Sequence, residues 1–194
     1  MYQSHVAGKP RLSGALAALL ALGVPDAEKR ATDYGVRKQA RLEELIAAGA
    51  VVAFPDALRF VRAVGALGLR MAVASSSKNA NQMMRAIRLD DGQNLLDMFA
   101  ANLCGRDVVR GKPDPEIFLL AAAALRVEPT QCFVAEDAFA GVQAARAGHM
   151  TALGVARLGD AESLRAAGAD LVVASLDDVA VAELADGWLR RRPA

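Results

Sequence analysis

The chain has 194 residues, 54% hydrophobic and 23% charged, enough apolar material for a packed core and against a disordered chain. A formal net charge of +1 leaves no electrostatic footprint for nucleic acid or a membrane surface. Two cysteines, Cys104 and Cys132, and two histidines, His5 and His149, are too few and too dispersed for a disulfide framework or a zinc centre, and they suit a reducing compartment.

The opening MYQSHVAGKPR lacks the apolar core of a signal peptide. The run ALAALLALGV falls well short of the about 20 residues that cross a bilayer, so a soluble, cytoplasmic protein is expected. Leu12, Leu16, Leu19 and Leu20 have helical spacing, and Gly23 stops them. Asp26 is the expected N-cap of a second helix ending at Gly49, with a break near Tyr34 and Gly35. Together these make a small helical subdomain. VVAFPDA links it onward, and Asp56 is expected to cap a helix reaching about Gly68.

From Leu69 short apolar runs alternate with helical ones. The predicted strands are RMAVASSS, MFAANLCG, CFVAED, MTALGVA and DLVVAS. The predicted helices are NANQMMRAIRL, DPEIFLLAAAAL, AFAGVQAARAG, AESLRAAG and a final LDDVAVAELADGWL. Such alternation with continuously apolar strands implies an α/β fold, a parallel sheet covered on both faces. Ligands of such sheets bind beyond the C-terminal strand ends.

Three of those ends carry polar groups. In VASSSKN, Ser75, Ser76 and Ser77 follow a strand and open a helix, which suits an anion site or a plain serine cap. In RGKPDPEIF, Lys112 precedes Pro113, either as a fixed cation for a phosphate or as a solvated turn lysine. In FVAEDAFAG, Glu136 and Asp137 are either a cation site or an exposed turn with a helix cap. Taken singly, each stretch leaves both readings open. In one crevice they would supply hydroxyl donors, an ammonium and hard oxygen ligands, the parts that phosphoryl transfer needs. No Gly-x-Gly-x-x-Gly follows any strand, which speaks against a dinucleotide cofactor.

In this order the three stretches resemble the haloacid dehalogenase-like superfamily of phosphatases and phosphomutases, and more narrowly its β-phosphoglucomutase-type branch. ASSSKN is similar to the second motif, GKPDPEIF to the third and VAEDAFAGVQAARAG to the fourth. The resemblance implies a Rossmann-like core over residues 55–194, a helical cap over residues 1–54, Mg2+ as cofactor and a small sugar phosphate as substrate. It implies no nucleic-acid or membrane partner, and a monomer. By the same resemblance Ser75 hydrogen-bonds the transferring phosphoryl group, and Lys112 bridges that group and the carboxylates. Ser76, Ser77, Lys78 and Asn79 become phosphate-binding, the last three near a second, non-reacting phosphate. Glu136 and Asp137 become the magnesium ligands. AGKPR is similar to a cap signature that sets Gly8 and Arg11 over the crevice, and Arg37 with Lys38 resembles a second substrate-facing pair.

One part of the pattern does not occur in the sequence: a strand ending Asp-x-Asp-Gly. In the family its first Asp attacks phosphorus to give an aspartyl-phosphate, and its second is the general acid and base. The expectation is therefore a phosphatase or phosphomutase lacking its first segment of about 50 residues. The alternative is a non-catalytic, phosphate-binding pseudoenzyme or truncated fragment. The same strand would lie between MAVASS and CFVAED, leaving those two about 9.6 Å apart, too far to pair. Unpaired backbone groups there would cost about 1–3 kcal/mol each.

Overall fold

The structure, a computed structural model, describes residues 11–193, which fall into two compact units divided between Val52 and Ala53. The first holds two helices, α1 (Arg11–Ala21) and α2 (Ala27–Ala47). Gly23 makes the turn between them at φ +66, a left-handed conformation that glycine adopts without strain. Leu19, Ala27 and Ala31 are buried, with Leu16, Val24 and Tyr34 packed against them. Two expectations fail here. Asp26 does not cap α2: its backbone is itself left-handed at φ 53 and its side chain makes no capping bond. Nor does α2 break at Gly35. Ala27, Ala31 and Gly35 recur every fourth residue as a buried stripe, and that packing outweighs the poor helix propensity of glycine.

The second unit begins with α3 (Pro55–Ala66), whose N-terminal proline suits the first turn. There follow β1 (Ala72–Val73), α4 (Ala80–Ala86), β2 (Ala101–Asn102), α5 (Glu116–Leu125), β3 (Phe133–Glu136), α6 (Phe139–Ala147), β4 (Thr151–Val155), α7 (Ala161–Ala166) and β5 (Leu171–Val173). The three ladders between these strands are parallel. β1 pairs with β2, and β3, β4 and β5 form a separate three-stranded sheet in that order.

β4 shows why its sequence is apolar after Thr151. Ala152 packs with Ile117, Phe118, Val142 and Met150 on one face, while Leu153 and Val155 pack with Phe60, Val64 and Val173 on the other. Ala72, Ala74 and Ala101 join the same core as Val134, so both sheets share one apolar interior. Even so, no ladder joins β1 to β3 among the described residues.

Two further expectations are corrected. Asp56 caps nothing; buried within α3, it accepts bonds from Arg157, Ser175 and Leu176. The final segment is not one α-helix but two tight 3-10 stretches, Leu176–Asp178 and Val181–Asp186. Val179 between them is drawn into an antiparallel bridge with Arg191, which no helix accommodates.

Candidate active site

Ser75 lies two residues beyond the end of β1. Its Oγ accepts the Ser77 N–H at 3.1 Å, and the Ser77 Oγ accepts the Asn79 N–H at 3.2 Å. A hydroxyl that accepts locally keeps its own proton to donate elsewhere. Ser75 is half-buried, whereas Ser76, Ser77 and Lys78 are exposed. Lys78 forms a 3.5 Å ion pair with Asp107.

Lys112 lies in the loop after β2, on the N-terminal side of a cis bond to Pro113. That loop is held from α5: the Glu116 carboxylate accepts the N–H groups of Val109 and Arg110 at 3.0 and 2.9 Å. Those two donors keep the Glu116 carboxyl below its usual range, Val109 first. The Lys112 ammonium is bound to the Glu136 carboxylate, the two side chains being only 10% and 12% exposed. It also stands 4.6 Å from the centre of the Phe118 ring, a cation–π contact. This ion pair joins the loop after one sheet to the last residue of β3 in the other.

Cys104 lies two residues beyond the end of β2 and is buried. Burial pushes its thiol up; hydrogen bonding from the Ser75 backbone and the Lys112 charge act in the opposite sense.

Glu136 is committed at both oxygens. Oε1 takes Lys112, and Oε2 accepts a long 3.4 Å contact from the Ala138 N–H, at the positive end of α6. Gly141 makes room for it: a Cβ there would fall on the Glu136 carboxylate. Asp137 is exposed and has no ion pair among the described residues. No group of three or more His, Cys, Asp and Glu that could hold a metal occurs among them. The donor set still suits magnesium, which takes few protein carboxylates and fills its shell with water and substrate oxygens. Asp137 would be its free ligand and Glu136 a shared one.

Lys38 is exposed on α2, and neighbouring Arg37 pairs with Asp33 at 3.1 Å. Gly8 and the side chain of Arg11 lie outside the described residues. No helix of the described residues is long and apolar enough to cross a membrane.

Parallel strands over one core, with serine, lysine and carboxylates at their C-terminal ends and in the loops that follow, place this chain among the α/β proteins whose ligands bind beyond the strand ends. Residues 1–149 match the family described as haloacid dehalogenase-like hydrolase, and the chain belongs to that family, in its β-phosphoglucomutase branch. Beta-phosphoglucomutase of Mycobacterium bovis is 34% identical over 198 residues, covering 92% of this chain and 72% of the relative. Archaeal beta-phosphoglucomutase from Pyrococcus superposes with a TM-score of 0.70 at 26% identity, covering 96% of this chain and 82% of its own. A HAD family hydrolase from Deinococcus radiodurans, solved with bound phosphate and sodium, gives 0.68 at 25% identity, covering 98% and 82%.

Proposed function

We propose that the chain carries the phosphate-binding and metal-binding parts of a magnesium-dependent site for phosphoryl transfer on a sugar phosphate. The observation that carries this reading is the shielded Lys112–Glu136 pair beside an unpaired Asp137. A buried ion pair stabilises a fold little in comparison with apolar packing. One set at the end of a strand, with a free carboxylate next to it, suits a phosphate and its counter-cation.

In this reading Ser75 donates its free proton to a phosphoryl oxygen and Lys112 places its ammonium on the same group. Ser77, Lys78 and Asn79 face a second phosphate, with Ser76 beside them. Asp137, aided by Glu136, would hold magnesium, which when bound neutralises charge on the phosphoryl oxygens. Names of relatives support a sugar phosphate as the substrate class. The attack itself, in the family through an aspartyl-phosphate, calls for an Asp-x-Asp pair that these residues do not contain. The chain by itself is therefore expected to bind without turnover, and a non-catalytic phosphate-binding role is the second reading.

Titration with magnesium and inorganic phosphate, followed by calorimetry and a phosphate-release assay on an aldose phosphate, tests this. Binding without release is the expected outcome. Asp137→Ala should abolish magnesium binding while shifting stability by less than about 0.5 kcal/mol, as for an exposed side chain. Unchanged magnesium affinity in that variant defeats the assignment, and phosphoenzyme formed by the unaltered chain defeats the expected inactivity.

A further inference from the structure

Three hydrogen bonds close a ring beside the Ser75 loop. The Asn102 Oδ1 accepts the Cys104 N–H at 2.9 Å. The Asn102 Nδ2 donates to the Asn81 Oδ1 at 2.7 Å, and the Asn81 Nδ2 donates to the Cys104 carbonyl at 3.2 Å. The arrangement admits one orientation of both amides. An N–H at Cys104 demands an oxygen from Asn102, which leaves Asn102 a nitrogen for Asn81, which leaves Asn81 a nitrogen for the carbonyl.

The ring links the end of β2 to the first turn of α4. The loop between β1 and α4 is the one that carries Ser75 through Asn79. Two more contacts tie that loop to the same strand end. The Gly105 N–H donates to the Ser75 carbonyl at 2.9 Å. Gly105 has φ +68, and a Cβ on it would stand 3.2 Å from the Lys78 Cα, so the two segments touch backbone to backbone.

We propose that Asn81 and Asn102 are positioning residues that hold the Ser75 hydroxyl toward the phosphoryl group. This rests on the phosphate-binding reading of the site. Neither residue belongs to the stretches that sequence marks as chemical, and neither is placed on the phosphate itself. Their task is to stop the loop from drifting: a misplaced donor loses most of its value to the ligand.

The test is a double-mutant cycle on the full chain with inorganic phosphate and magnesium as the probe. Ser75→Ala and Asn102→Ala should each weaken phosphate binding about tenfold, the loss expected for one hydrogen bond to a charged group. If the ring acts through Ser75, Asn102→Ala made in the Ser75→Ala background should cost less than about twofold. Asn102→Asp, which keeps the acceptor for the Cys104 N–H, should recover part of the loss. Amide exchange at Ser77 and Gly105 should quicken in Asn102→Ala, with Ala152 in β4 unchanged. Undiminished affinity in Asn102→Ala, or a full tenfold loss regardless of Ser75, overturns the positioning role. Unaltered exchange at Ser77 and Gly105 overturns it independently of phosphate. Failure of the unaltered chain to bind phosphate instead overturns the reading of the site, and the ring's task with it.

Discussion

Replacing Asp56 by Asn removes one charge from a carboxylate that is 6% exposed and ties three segments together. Its Oδ2 accepts from Arg157 Nη1 at 2.7 Å, from the Leu176 N–H at 2.8 Å and from the Ser175 hydroxyl at 3.1 Å. Arg157 follows β4 and Ser175 follows β5, so the start of α3 is fastened to two strand ends. Burial alone would raise the Asp56 carboxyl. The bonds from Arg157, Leu176 and Ser175 outweigh it and hold the group at about 2, below its ordinary 3.8. That difference corresponds to about 2 kcal/mol of folding free energy at neutral pH. The folded-state value is the depressed one. The contribution is therefore complete above the unfolded value and disappears as pH falls through about 2. Urea unfolding of both proteins from about pH 7 to about pH 2 measures it. At neutral pH Asp56→Asn should be less stable by about 2 kcal/mol, and the gap should close toward the acid end. A gap of constant size across the range would show that ionisation of Asp56 has no part in the fastening.

Lys112→Met leaves Glu136 shielded without its counter-charge, and should cost about 3–5 kcal/mol by denaturant unfolding. The double variant Lys112→Met with Glu136→Leu should recover most of that loss; a double variant as unstable as the single one would mean that the apolar surroundings, not the charge, set the cost. Gly141→Ala forces the Glu136 carboxylate out of its seat. It should lower stability by about 1–3 kcal/mol and phosphate affinity together, and a variant weakened in neither would show that the seat is not required.

Much of this was readable before any coordinates. Alternation of apolar runs with helical ones gave the order of strands and helices, because strands covered on both faces must be apolar throughout. Lys112 and Glu136 stood at predicted strand ends, and the structure joins them in one ion pair. What escaped was whatever depends on partners remote in sequence. Asp56 reads in sequence as a helix cap, yet its partners lie 101 to 120 residues away. The closing segment had helical composition, but pairing of Val179 with Arg191 decided its form. The bonds that Asn102 makes with Asn81 and with the Cys104 N–H gave no sign either, since an asparagine outside a motif looks the same in sequence whatever it touches.

The Lys112–Glu136 pair carries one more consequence. Phosphate arriving alone would draw the ammonium away and leave Glu136 shielded and unpaired. Magnesium arriving alone would draw on the carboxylate and leave Lys112 without its counter-charge. Arriving together, each takes one member of the pair, and no charge is left uncompensated. The two should therefore bind cooperatively, by at least about tenfold, or about 1.4 kcal/mol of coupling. Calorimetric titration of phosphate with and without magnesium measures the factor, and Glu136→Gln should reduce it, because a neutral amide leaves no unpaired charge behind. Equal phosphate affinity in the two conditions would mean that the ion pair stays intact on binding, and that Lys112 does not reach the ligand.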